Sequence, residues 1–190
     1  MKKRDFFKAF FKNAKMVGSL RPSSKQLTKS MLDSVDFSKA KTIIELGPGT
    51  GVFTREILAK MAPDATLLVF ELHDEFFHNL NKSIKDNRVH FIHDSAEKLK
   101  EYLDQHNLHQ TDAVISSLPL ANFPKELRAN IVKAAIDSLA DDGCLTQFQY
   151  SLQSKKYLKS TFPNVKINYT FWNFPPAFVY TCRKSAKHTV

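Results

Sequence analysis

The segment Ile44-Glu45-Leu46-Gly47-Pro48-Gly49-Thr50-Gly51 constrains the fold of this chain more than any other. The short apolar run Thr42–Leu46 reads as a buried strand and Val52–Met61 reads as a helix, so a glycine-rich turn joins a strand directly to a helix. Gly47 permits the tight turn, Gly49 lets a ligand approach the backbone, and Gly51 allows close helix–strand packing. Glu71 ends the next strand. A carboxylate there can accept hydrogen bonds from a ribose diol.

From Lys41 onward, strands and helices alternate. Strands are expected at Thr66–Glu71, Val89–His93, Asp112–Ser116, Cys144–Tyr150, Val165–Trp172 and Ala177–Arg183. Helices are expected at Asp74–Lys85, Ala96–Gln105, Lys125–Leu139 and Lys155–Thr161. Alternation of this kind implies a parallel sheet with helices on both faces. The last two strands meet across Asn173–Pro176 as a hairpin-like pair, which predicts an antiparallel edge strand. The fold class is therefore α/β: a Rossmann-like, mostly parallel seven-stranded sheet. Ahead of it, Gly18 and Pro22 mark a break, and Ser23-Ser24 cap a helix over Gln26–Leu32.

A length of 190 residues suits one domain, and no apolar run reaches the roughly 18 residues that a spanning helix needs. Met1–Asp5 carries signal-peptide-like charge, but Lys8, Lys12 and Lys15 break up the apolar stretch a signal peptide would need, so a cytoplasmic protein is expected. Cys144 and Cys182 lack ligand spacing and read as buried thiols, and the seven histidines form no ligand set, so no metal is expected. The net charge of +9 is concentrated: residues 1–30 hold nine Lys/Arg against Asp5 alone, while the rest of the chain is nearly balanced. Met1 to Lys15 reads as a helix with Phe6, Phe7, Phe10 and Phe11 on one face and Lys8, Lys12 and Lys15 on the other. Such a block points to a polyanionic surface, either membrane or nucleic acid. Packing of the Phe stripe on the body is the competing reading.

The Gly-x-Gly-x-Gly pattern preceded by Glu45 resembles motif I of class I methyltransferases. The resemblance implies S-adenosylmethionine as cofactor and S-adenosylhomocysteine as product. It places Glu45 toward the cofactor's ammonium, with Gly47, Pro48, Gly49, Thr50 and Gly51 as the loop that holds it. Glu71 and Leu72 then serve the ribose. His93-Asp94-Ser95-Ala96 resembles the motif whose acid contacts adenine, and Ser116-Ser117-Leu118-Pro119-Leu120 falls where these enzymes put the substrate-facing loop.

Four segments extend the resemblance to bacterial phospholipid N-methyltransferases: residues 17–24, Glu45–Thr54, Ser117–Pro124 and Trp172–Tyr180. That family implies methylation of phosphatidylethanolamine toward phosphatidylcholine by a peripheral enzyme on the inner membrane face. It divides the chain into a membrane-binding helix, 1–16, and a methyltransferase domain, 17–190. The partners are then an anionic membrane surface and an aminophospholipid, without nucleic acid, and the protein is expected to be a monomer. The same signals resemble ribosomal RNA adenine dimethyltransferases, whose loop reads Asn-Leu-Pro-Tyr. Here Leu120 stands at the tyrosine position and cannot stack on adenine. RNA adenine methylation remains an alternative, as does a membrane-binding module with a degenerate cofactor site.

An amine must be neutral to attack a methyl group, so a hydrogen-bond acceptor near it is useful. Tyr150, Tyr180 and Ser117 are the candidates. Leu118 and Pro119 belong to the substrate loop. Phe123, Trp172 and Phe174 offer cation–π faces to a methylated ammonium, and Arg21, Ser23, Ser24 and Lys25 can receive a phosphate at a helix start.

Overall fold

The computed structural model describes residues 25–171, 173 and 175–184. The Met1–Lys15 segment, Arg21, Ser23, Ser24, Trp172 and Phe174 lie outside the described residues. The chain runs α1 (Lys25–Leu32), β1 (Thr42–Leu46), α2 (Val52–Lys60), β2 (Thr66–Phe70), α3 (Asp74–Ser83) and β3 (Val89–Ile92). It continues through α4 (Leu99–Gln105), β4 (Thr111–Ser116), α5 (Lys125–Ser138), β5 (Leu139–Gln149), α6 (Lys155–Thr161), β6 (Asn164–Thr170) and β7 (Ala177–Arg183).

All seven strands join one sheet in the order β3-β2-β1-β4-β5-β7-β6. β1 pairs in parallel with β2 on one side and β4 on the other, and all five of its residues are buried. This is why Thr42–Leu46 reads as a continuous apolar run rather than an alternating one. The helix α6 carries the chain from β5 to β6, and the short 171–176 connection then returns it antiparallel as β7. β7 fills the place between β5 and β6, so the reversed strand stands one position in from the sheet edge.

Two apolar layers cover the sheet. α1 and α2 bury Leu27, Met31, Phe53 and Ile57 against Ile43, Val69 and Ile115. α4, α5 and α6 bury Leu99, Leu103, Ile131 and Leu158 against Ile44, Leu68 and Val114. Arg88 ties the end of α2 to β3. Its guanidinium donates to the carbonyls of Leu58 and Met61 at 3.0 and 3.1 Å and pairs with Asp86. Among the described residues, no helix is long and apolar enough to cross a membrane, and no cluster of His, Cys, Asp or Glu has metal-site geometry.

β5 begins at Leu139, ahead of the expected Cys144. Leu139 pairs with Thr111, and the register shifts before Ala113 meets Cys144. Asp141-Asp142-Gly143 lies within the strand.

Candidate cofactor and substrate site

The strand order reverses beside β1, where β1 and β4 send their following loops in different directions. Such a switch point opens a crevice at the carboxyl ends of the strands. The glycine loop forms one wall. Gly47, Gly49 and Gly51 all have positive φ, at 68°, 56° and 78°. A Cβ on Gly49 would meet no protein atom within 4 Å, so the backbone there faces open space. A Cβ on Gly51 would collide with Leu80 of α3 and lie 3.0 Å from the Arg55 guanidinium. Gly51 therefore serves a helix–helix approach, not the helix–strand packing that the sequence suggested.

Three carboxylates stand around this loop. Glu71 is almost fully buried, accepting from the Gly49 amide at 3.2 Å and the His73 amide at 2.8 Å. Burial pushes it up to about 7 while those two amides hold it down. Glu45 is completely buried, and neither carboxylate oxygen has a hydrogen-bond partner among the described residues. Burial raises Glu45 to about 8, helped by the neighbouring Glu71 charge, while weak donation from the Thr54 hydroxyl and amide and the Arg55 charge pull it down. Asp94 accepts from the Ser95 amide, the Lys98 ammonium and the Tyr102 hydroxyl. Burial pushes Asp94 up, but these donors outweigh it and hold the carboxyl below its ordinary value.

A cleft brings together Gly47, Glu71, Leu72, Asp94, Ala96 and Leu118 with Phe70 and Ile131. A second hollow shares Leu72 and Asp94 and adds Ser95. Five expected cofactor residues thus meet in one place from three different loops. Pro48 is buried and closes the turn by accepting from the Gly51 amide at 3.0 Å, whereas the Thr50 side chain is exposed. Ser116 lies beneath the loop, its hydroxyl accepting from the Leu118 amide at 3.4 Å. Ile131 was not singled out in the sequence, because on α5 its spacing matches that of an ordinary core residue.

The loop after β4 is tightly held. Pro119 adopts φ −79° and ψ 65°, and the Leu120 amide donates to the Leu118 carbonyl at 2.8 Å, an inverse γ-turn. Two buried glutamines on β5 donate to that same carbonyl, Gln147 at 2.9 Å and Gln149 at 3.0 Å. Gln149 also accepts from the Ala121 amide. The sequence held one unread signal for this clamp: two glutamines, two apart, at the end of a buried strand. The Ser117 hydroxyl is buried without a partner among the described residues.

Other expected substrate groups fall elsewhere. Tyr180 is fully buried in the layer under α6, with its hydroxyl donating to the Ser151 carbonyl at 3.4 Å. It is a core residue, not an acceptor facing the cleft. Phe123 packs into that layer beneath α5, so its ring offers no open cation–π face. Tyr150 is 44 % exposed just beyond β5 and packs edge-on against Phe148.

These residues suit S-adenosylmethionine. The unpaired Glu45 carboxylate calls for a cationic or donating group, and the open space at Gly49 admits a ligand against the backbone. The comparisons with known proteins agree. A family model described as ribosomal RNA adenine dimethylase matches residues 12–159. The ornithine lipid N-methyltransferase of Singulisphaera acidiphila is 31 % identical over 186 residues, covering 95 % of this chain and 96 % of the relative. A putative rRNA methylase from Clostridium thermocellum superposes with a TM-score of 0.65 at 20 % identity, over 85 % of this chain and 97 % of its own. Human methyltransferase-like protein 13 in complex with SAH gives 0.67 at 11 %, over 88 % and 86 %. At such identities the two structures speak for the Rossmann-like methyltransferase fold.

Proposed function

The chain belongs to the ribosomal RNA adenine dimethylase family, and from that premise we propose that it methylates the primary amine of a membrane aminolipid. It is an S-adenosylmethionine-dependent N-methyltransferase. The observation that carries the lipid reading is Leu120. It stands where RNA-modifying members of the family carry the stacking tyrosine, and its side chain is 2 % exposed within the core. No aromatic face is offered to adenine at that position. The relative named for ornithine lipid supports a lipid acceptor, and the segments similar to phospholipid N-methyltransferases support phosphatidylethanolamine.

S-adenosylmethionine, when bound, supplies an electrophilic sulfonium methyl, which leaves the protein mainly to align and deprotonate the acceptor. Glu45 would balance the cofactor's ammonium, and Glu71 would offer its remaining lone pairs to the ribose. Asp94 faces the adenine end. The Leu118 carbonyl is saturated by three donors, so it fixes the loop instead of receiving the substrate. Ser117 then holds the free acceptor at the loop, and its hydroxyl receives a hydrogen bond from the attacking amine. The amine would give up one proton to solvent past the Ser117 hydroxyl in exchange for the methyl group it accepts. A primary ammonium has a pKa of about 10, so a proton must reach solvent before attack, and the Ser117 hydroxyl then orients the neutral amine.

The family's name gives RNA adenine methylation standing as a second reading. Incubation with labelled S-adenosylmethionine separates the two. Vesicles of phosphatidylethanolamine or of ornithine lipid should take up label, and the lipid labelled faster is the preferred acceptor. Label in ribosomal RNA with both lipids inert would reverse the assignment.

A further inference from the structure

The exposed large apolar side chains of the described residues are Tyr150, Leu152, Tyr169 and Phe171, and all four lie at one end of the sheet. Tyr150 and Leu152 follow β5 as it emerges beside the substrate loop. Tyr169 and Phe171 lie at the end of β6, with ring centroids 4.4 Å apart, and Phe171 is 74 % exposed. Strand register aligns the two groups, since Gln149, Phe178 and Tyr169 pair across β5, β7 and β6. Gln149 also grips the Leu118 carbonyl, so the patch adjoins the acceptor loop.

Charge marks the same region. Residues 143–190 contain seven Lys/Arg and no Asp or Glu, whereas residues 31–142 hold twelve Lys/Arg and eighteen Asp/Glu. The last quarter of the sequence is therefore basic, although residues 31–190 together are nearly balanced. Lys155 and Lys156 are exposed in the first turn of α6, three and four residues after Leu152. Aromatic side chains fringed by lysines suit the boundary between an anionic headgroup layer and the acyl chains.

We propose that the patch formed by Tyr150, Leu152, Tyr169 and Phe171, with Lys155 and Lys156, docks the folded body on an anionic bilayer and turns the acceptor loop toward the lipid. This surface is distinct from residues 1–16, and its role rests on the lipid reading above. Docking here lets an aminolipid reach Ser117 by a short lateral path, without leaving the membrane.

The chain's single tryptophan, Trp172, follows Phe171 in sequence and reports on the patch. Full-length protein is mixed with phosphatidylglycerol vesicles bearing brominated acyl chains, which offer the cleft no amine. Trp172 emission should shift to the blue and be quenched. The double variant Tyr169→Ser, Phe171→Ser should bind at least about tenfold more weakly, because two apolar rings no longer enter the bilayer. Its melting temperature should stay unchanged, since both side chains are exposed. Lys155→Glu with Lys156→Glu should weaken binding at low salt and matter little at high salt. Unquenched Trp172 in vesicle-bound protein, or a double variant that binds as wild type does, overturns the proposal. So does a wild-type dimer that the double variant dissociates without change in vesicle binding. A short-chain aminolipid below its micelle concentration separates this idea from its premise: wild type and double variant should methylate it equally. Failure of the wild type there would sink the lipid reading and leave the docking result standing.

Discussion

A carboxyl buried without a well-formed hydrogen bond destabilises the fold around it, and Glu45, helped only weakly by Thr54, is such a group. Its folded pKa of about 8 lies above the ordinary 4.5, so between those values the folded protein keeps a proton that the unfolded chain has released. Stability of the cofactor-free protein therefore falls as pH rises from about 4.5 to about 8, with Glu71 adding to the slope up to about 7. Glu45→Gln should raise the melting temperature at pH 8 and flatten that decline. It should also lower S-adenosylmethionine affinity by roughly tenfold or more, since a charged partner is lost. Thermal melts and calorimetry read both effects, and a variant that gains no stability or keeps full affinity contradicts the role. Gly49→Val tests the opposite wall. Its φ of 56° makes a branched residue cost about 1–2 kcal/mol, and the side chain would project where the ligand lies. The variant should fold with a lowered melting temperature and show no cofactor binding by calorimetry.

The element that sets the acceptor geometry is β5, through the alternation that puts Gln147 and Gln149 on one face beneath the loop after β4. Removing either amide leaves loop groups short of partners in a buried place, at a cost of about 1–3 kcal/mol. Gln149→Leu should lower kcat for the aminolipid, because Leu118–Asn122 is no longer fixed, while S-adenosylmethionine affinity stays near wild type. Steady-state kinetics beside cofactor calorimetry checks this, and an equal loss in both measurements would mean general damage. Gln147→Leu combined with Gln149→Leu should cost a different amount from the sum of the singles, because both donate to one carbonyl.

At the scale of the molecule, the charge distribution decides how the protein meets a surface. Residues 1–30 and 143–190 are both strongly basic, and all the acids except Asp5 lie between them. Replacement of Lys8, Lys12 and Lys15 by Glu in the full chain should weaken binding to anionic vesicles, and added salt should mimic the change. Phe7→Ser with Phe11→Ser should weaken it even at low salt, because insertion does not depend on screening. If that stripe packs on the body instead, the Phe variants will lower the melting temperature and leave cosedimentation unaltered.

The strands, the helices and the glycine loop were legible in the sequence because turn chemistry and hydrophobic period act over a few neighbouring residues. Glu71 and Asp94 could be placed near a ligand for the same reason, as each ends a strand whose direction the alternation implies. Contacts between distant segments carried no such mark. Ile131 has the spacing of any core residue, and only the packing of α5 against α4, β5 and the 96–98 turn brings it into the cleft. Tyr180 and Tyr150 look alike in sequence, yet β7 points one into the core while the other stands at the exposed end of β5. Phe123, Gln147 and Gln149 took their roles from which face each element turned toward its neighbour. Local sequence sets the period of an element, but its facing partners come from chain segments tens of residues away, and burial of the two apolar layers fixes that choice.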